Sequence, residues 1–280
     1  PGILFDSNSF SMNLTYDIND SLTFKSITAS RNFDYSAYRD LDATFLVMQN
    51  TWYYQEVEEM SQEFQILGSG DSYTWVVGLY YYDRVVYTKF NGWQRWELIG
   101  KGVNGPLPRN SLERNVTTDH AIYAELTYDM TEQISLTVGG RYSEEQAYSA
   151  TYDPSEALGS PTQPSFDLNG LIMRVDGVPL EFNPEFDAFT PRVTLQYQYT
   201  DNVMAYISYA EGFNGGGTNS RFDPSLPNNG IIEYDSERLK NIELGLRTDL
   251  LDNRLRLNIN YFTGNWEDIQ IGENLTPGVS

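Results

Sequence analysis

The run from Glu237 to Trp266, ERLKNIELGLRTDLLDNRLRLNINYFTGNW, decides the fold. In its first half Ile242, Leu244, Leu246, Thr248 and Leu250 share one parity, and Asn241, Glu243, Gly245, Arg247 and Asp249 share the other. In its second half Leu255, Leu257, Ile259 and Tyr261 alternate with Arg254, Arg256, Asn258 and Asn260. Side chains of a strand point alternately to opposite faces, so each half reads as a strand with one apolar and one strongly polar face. Leu251-Asp252-Asn253-Arg254 between them, with Asp-Asn at its centre, reads as the turn of an antiparallel hairpin.

The pattern recurs along the chain. Phe10, Met12, Leu14, Tyr16 and Ile18 alternate with polar residues, and a tight turn at Asn19-Asp20 follows. Phe64 and Ile66, then Tyr73, Trp75, Val77, Leu79 and Tyr81, flank a turn at Gly68 to Asp71. Ile122 to Tyr128 and Ile134 to Tyr142 flank Asp129 to Glu132, and Val193 to Tyr199 and Val203 to Tyr209 flank Thr200 to Asn202. Between these hairpins lie longer segments of about Asp34–Glu56, Thr88–Arg114, Ala147–Asp187 and Phe213–Asp235. Strict alternation of short and long connections, with about ten strands of bilayer-crossing length, predicts an all-β, antiparallel transmembrane β-barrel wall.

Composition agrees. The chain of 280 residues carries 21 Tyr, 14 Phe and 5 Trp, yet its mean hydropathy is −0.47. A barrel combines these features because only alternate residues meet lipid. The net charge of −21 argues against nucleic acid, whose phosphates require basic patches. There are no cysteines and one histidine, His120, which excludes thiol chemistry and a His-rich metal centre. His120 reads as a loop-edge residue before a strand starting near Ala121. Neither Glu58-Glu59 nor Glu144-Glu145 can act as a catalytic pair, because strand neighbours face opposite ways. Gly215-Gly216-Gly217 lacks the Lys-Ser/Thr of a phosphate loop. No catalysis and no cofactor or metal is expected.

Tyr206-Ile207-Ser208-Tyr209-Ala210-Glu211-Gly212-Phe213-Asn214-Gly215-Gly216-Gly217 resembles the strand-to-loop stretch Y-x-S-Y-x-x-G-F-x-x-G of TonB-dependent receptors. The hairpin Glu237–Trp266 resembles the one that follows it in that family, with E-x-x-x-N-x-E-L-G, a D-x-R turn and an aromatic strand end. Leu22 to Thr28, Gln62 to Ile66, Val77 to Tyr81, Tyr123 to Tyr128 and Leu136 to Tyr142 resemble further strands of the same group, in the same order. The resemblance covers nearly all of residues 1–280 and implies a partial barrel domain from a wall of about 22 strands, without the plug domain and TonB box. It further implies a bacterial outer-membrane receptor with periplasmic short turns and extracellular long loops. Such a receptor would perform energy-coupled uptake of a bulky scarce nutrient: a siderophore–iron or other metal chelate, cobalamin or an oligosaccharide. Expected partners are outer-membrane lipid, the plug domain, the TonB–ExbB–ExbD complex acting through that plug, and the ligand itself. Two other readings stand beside it: a passive porin-like or adhesin barrel, and a soluble β-sandwich such as a carbohydrate-binding module.

Within the barrel reading, Arg141, Arg192, Glu243, Arg247, Arg254 and Arg256 are expected to face the lumen. Tyr128, Tyr199 and Tyr209 are placed near strand ends, as interfacial aromatic girdles are. Trp93, Trp96, Phe213, Asn214 and Trp266 fall in or beside predicted external loops, where aromatic residues can stack on a ligand; ordinary loop packing is the rival reading. The acidic balance argues against loops that steer anionic chelates, although lumenal arginines can still bind them.

Overall fold

The computed structural model describes residues 2–40, 49–94, 107–152, 181–219 and 232–271. Alternating strand-forming sequence and short polar turns produce one meandering antiparallel sheet. Its strands are β1 (Ile3–Asn19), β2 (Leu22–Asp40), β3 (Gln49–Gly70), β4 (Tyr73–Gln94), β5 (Leu107–Asp129), β6 (Ile134–Tyr152), β7 (Glu181–Phe182), β8 (Glu185–Thr200), β9 (Val203–Asn214), β12 (Glu237–Leu250) and β13 (Leu255–Glu267). Each main strand pairs with its neighbour in sequence, in the order β1-β2-β3-β4-β5-β6-β8-β9-β12-β13, and the short β7 pairs with β6. Two small strands, β10 (Gly217–Asn219) and β11 (Ile232–Tyr234), form a separate ribbon in the connection between β9 and β12. The sheet is open: β1 and β13 do not pair with each other among the described residues.

Register fixes the two faces. Leu79 on β4 stands opposite Phe64 on β3 and Ile122 on β5, and the row continues through Tyr142 to Phe189. All five are exposed, Leu79 by 54%. A single-layer sheet that leaves a whole face of large apolar side chains uncovered needs an apolar solvent on that side. Within the bilayer-crossing part of the strands the opposite face carries the ionisable residues, and it is the more crowded one: Val57 there is 0% exposed, and Ala37, Thr137 and Thr194 are also buried. Glu144 and Glu145 fall on different faces, opposite Asp187 and Asp119 respectively.

The strands are longer than the sequence pattern indicated. Only about 9–11 residues are needed to cross the apolar layer, and alternation is strong over that length. Beyond it, backbone pairing continues without an apolar face. Thus β4 runs on to Gln94 and β5 starts at Leu107, well inside the segment read as a long loop. His120 accordingly lies within β5 and not at a loop edge. Tyr128 and Tyr199 lie at the short-turn end as expected, whereas Tyr209 is in the body of β9, paired with Val193 and Ile242.

The Glu237–Trp266 hairpin has an uninterrupted register from Arg238↔Glu267 to Leu250↔Leu255. Leu251, Asp252 and Asn253 all have positive φ, and the Arg254 N–H donates to the Leu251 carbonyl at 3.2 Å. Arg254 therefore belongs to the turn, and β13 begins one residue later; it is not on the polar face with Arg256.

Candidate functional site

The polar face carries two layers of interacting polar and aromatic side chains. The deeper one lies along the middle of the sheet. Gly78 on β4 faces Tyr123 on β5, and the missing side chain lets the tyrosine ring lie across the β4 backbone. The Tyr123 hydroxyl thereby reaches β3, where it donates to the Glu63 carboxylate and accepts from Gln65 Nε2 at 3.0 Å. Beside it the Arg141 guanidinium lies 4.8 Å from the centre of the Tyr80 ring and donates to Asp119 at 3.0 Å and Ser143 at 2.9 Å. The second Asp119 oxygen, Oδ1, is buried without a hydrogen-bond partner among the described residues. Arg192 pairs with Glu125 at 3.7 Å.

A second network repeats the device on the later strands. Tyr206 lies over Gly245 and donates to Glu243, which also accepts from Asn260 Nδ2 at 3.0 Å. Arg247 stacks 5.7 Å above Tyr206, and Arg256 pairs with Asp249 at 2.7 Å. Five of the six residues expected on the lumenal side, Arg141, Arg192, Glu243, Arg247 and Arg256, thus share the polar face, each engaged with a neighbour.

The upper layer is near the long-connection end of β1, β2 and β3. There Phe5 and Phe33 are 5.6 Å apart with Arg31 4.9 Å above Phe33, and Tyr35 and Tyr53 make an edge contact at 5.9 Å. Arg39 lies 5.7 Å from the Tyr53 ring and donates to the Tyr35 hydroxyl at 3.0 Å. Register puts all six side chains on the polar face. Guanidinium groups over aromatic rings present cationic and flat apolar surface together, which suits an anionic ligand with a planar or apolar portion. The sequence does not show this cluster, because the alternation of the Ser21–Phe33 run blurs from Ser26 onward and Asp34–Glu56 reads as an irregular segment.

The predicted loop residues fare differently. Trp96 lies outside the described residues, and Trp93 is a paired residue of β4, opposite Asn50 and Pro108. Phe213 and Asn214 end β9, and Trp266 is inside β13 opposite Leu239. Asn214 and Trp266 converge on one carboxylate. Glu237 accepts from Asn214 Nδ2 at 3.0 Å, Trp266 Nε1 at 3.2 Å and the Gln270 N–H at 3.1 Å. Gln270 in turn donates to the Gly215 and Asp235 carbonyls at 2.8 and 3.2 Å. Two of the residues read as ligand contacts are therefore part of a clamp that fastens strand ends and connection bases. Glu237 opens the E-x-x-x-N-x-E-L-G stretch, but nothing in that pattern marks it as the centre of a clamp, and Gln270 lies in no motif.

An antiparallel meander with one lipid-compatible face, one charged face and alternating short and long connections is the wall of an outer-membrane type β-barrel. The family model for the TonB dependent receptor-like β-barrel matches residues 2–279, and the chain belongs to that family. This is a receptor family of the outer membrane, not an enzyme family. Similar solved structures include the ferric yersiniabactin uptake receptor FyuA from Yersinia pestis, at 19% identity and TM-score 0.71, covering 96% of this chain and 37% of that one. The ferric citrate transporter FecA matches at 15% identity and TM-score 0.66, covering 94% and 35%. The copper transporter OprC matches at 11% identity and TM-score 0.62, covering 95% and 39%. The chain thus spans well under half the length of these proteins, and the likeness is one of fold.

Proposed function

We propose that this chain is part of the wall and mouth of a TonB-dependent receptor that takes up a bulky metal complex with an anionic face. The polar face lines the lumen, the long connections lie outside the cell and the short turns face the periplasm. The observation that carries the ligand class is the Arg31–Phe33–Tyr35–Arg39–Tyr53 cluster at the outer end of that face. The names of the similar structures, two ferric chelate systems and a copper transporter, support a metal complex. In the net-acidic chain these guanidinium groups offer local positive charge where the overall field repels anions. The deeper arginines Arg141, Arg192, Arg247 and Arg256 are held by carboxylates or aromatic rings of the wall and set the charge of the passage against which a plug domain packs. Energy enters through TonB–ExbB–ExbD acting on that plug.

The test is uptake of labelled ferric chelates by cells that express the complete receptor under iron limitation. Uptake that depends on both the receptor and the proton gradient is expected. Receptor-dependent uptake that persists after the gradient is collapsed would instead mark a passive pore.

A further inference from the structure

The aromatic and cationic cluster at the mouth divides into two stations on one surface. The first joins β1 and β2: Phe5 and Phe33 lie 5.6 Å apart, with the Arg31 guanidinium 4.9 Å from the Phe33 ring centre. The second joins β2 and β3: Tyr35 and Tyr53 meet edge-on at 5.9 Å, and Arg39 lies 5.7 Å from the Tyr53 ring centre. Phe33 and Tyr35 are two positions apart on β2, so the stations are separated by roughly 7 Å along the strand. Phe33 is eleven residues beyond Leu22 at the short-turn end of β2. A strand needs about 9–11 residues to cross the apolar layer, so both stations open on the aqueous mouth.

The surface is preformed. Val57, opposite Phe33, and Ala37, opposite Tyr53, are both 0% exposed, so the rings stand on a close-packed stretch of wall. Phe5 is 57% exposed and keeps much of its ring open. Among the described residues neither Arg31 nor Arg39 is in an ion pair; Glu59, opposite Arg31, lies 3.3 Å from Arg84 instead. The Tyr35 hydroxyl accepts from Arg39 at 3.0 Å, and it can donate its own proton at the same time.

These stations ask for more than negative charge. A guanidinium stacked on a ring is a flat, weakly hydrated surface that favours a further electron-rich ring. In a phenolate or catecholate the ring and the negative oxygen belong to one group. One such arm can stack at a station while its oxygen accepts from the guanidinium or the Tyr35 hydroxyl. An aliphatic carboxylate or hydroxamate meets the donors and leaves the aromatic surface unfilled. A metal centre that carries several aryl arms can fill both stations at once.

We infer that the mouth selects metal complexes whose metal-binding arms are aryl oxides, with one arm at the Phe5–Phe33–Arg31 station and another at the Tyr35–Tyr53–Arg39 station. This selectivity presupposes that the cargo is a metal complex with an anionic face, as proposed above.

The test uses the complete receptor in mild detergent and two synthetic ferric complexes built on one triamine backbone. One is a tris-catecholate; the other is an aliphatic tris-(α-hydroxycarboxylate) of the same net charge. Equilibrium dialysis with labelled iron measures retention of each. The catecholate complex is expected to bind about tenfold more tightly, the scale of a partly desolvated cation–π contact. Phe33→Leu combined with Tyr53→Leu should bring the two affinities together while heat-modifiable gel mobility reports an intact barrel. If the double variant does not fold, Phe5→Leu alone should narrow the difference. Equal affinities in the native receptor, or a preference that survives the substitutions, overturn the aryl selectivity and leave the metal-complex reading standing. Retention of neither complex overturns both.

Discussion

Tyr123 lies over Gly78 so closely that a β-carbon on residue 78 would come within 2.3 Å of the tyrosine Cζ. The glycine is what allows one side chain to tie three strands together, from β5 across β4 to Glu63 and Gln65 on β3. Gly78→Ala should therefore destabilise the barrel by about 1–3 kcal/mol, the scale of overpacking plus a displaced hydrogen bond. Tyr123→Phe keeps the ring and loses only the hydroxyl, so its effect should be smaller. In the double variant the two effects should fall short of additive, because displacing the ring already breaks the hydroxyl bonds. Thermal midpoints from heat-modifiable gel mobility measure all three; strict additivity would show that ring and glycine are not coupled.

The upper cluster makes a different prediction. Arg39→Ala removes one guanidinium from the Tyr35–Tyr53 edge pair and should weaken binding of an anionic metal chelate about tenfold, with little change in stability. Arg39→Lys keeps the charge but loses the planar stack and should recover only part of the affinity. Binding measured by ligand competition on whole cells, with receptor abundance checked by immunoblot, reports this. Unchanged affinity in Arg39→Ala would move the ligand site elsewhere.

How much of this was legible follows from where water and lipid act. Between Ile242 and Leu250 every second residue must suit hydrocarbon, so strand, face and register could be read directly. Above the bilayer that constraint ends. Asn32 faces Glu58 and Asp34 faces Glu56 on the same side as the apolar belt, and the strands continue on backbone hydrogen bonds alone. For that reason the ends of β2, β3, β4 and β5 were read as loops, and the Arg39–Tyr53 cluster was hidden with them. Arg254 has two readings in the sequence, last residue of the turn and first polar-face residue of β13, because the alternation continues into the turn without a break; the positive φ values before it and its N–H bond to the Leu251 carbonyl decide for the turn. The glycine–tyrosine pairs were invisible because they join residues on neighbouring strands that no single-strand period connects.

Glu237 collects hydrogen bonds from Asn214, Trp266 and the Gln270 backbone. Glu237→Gln should keep the shape but weaken the charge-assisted bonds, and Glu237→Ala should free both strand ends. Hydrogen exchange in residues 211–217 and 264–271 should rise in the order wild type, Gln, Ala, by tenfold or more in the last, about 1.4 kcal/mol of local opening free energy. Exchange confined to the wild-type level in Glu237→Ala would show that the strand pairing alone holds this corner.

Glu113 lies on the polar face of β5, opposite Thr88, sixteen residues from the short turn and beyond the bilayer-spanning part. Burial pushes its carboxyl above the ordinary value. The folded state thus holds this proton at a pH where the unfolded chain has released it. The group imposes no penalty below the unfolded value. The penalty grows as pH rises through the raised folded value and stays constant above it. Glu113→Gln should accordingly gain stability at pH 7.5 relative to wild type, and the gain should vanish near pH 3.5. Thermal midpoints of both proteins across that range decide it; a gain that does not depend on pH would point to a packing effect instead.

The β12–β13 turn carries a cost that a single substitution removes. Leu251 has φ of 54°, followed by Asp252 at 55° and Asn253 at 63°. Asp and Asn tolerate this left-handed region, but for leucine it costs roughly 1–2 kcal/mol. The Leu251 side chain is 69% exposed, so little packing compensates. Leu251→Gly should relieve the strain, offset in part by the backbone entropy of glycine, for a net gain of about 0.5–1 kcal/mol. Asn253→Gly should change little by comparison, because asparagine already fits its position. Paired urea-unfolding midpoints compare the two. If Leu251→Gly destabilises while Asn253→Gly does not, then the leucine makes a contact at the short-turn end that outweighs its backbone strain, and the turn is held by that side chain and not by its dihedral angles.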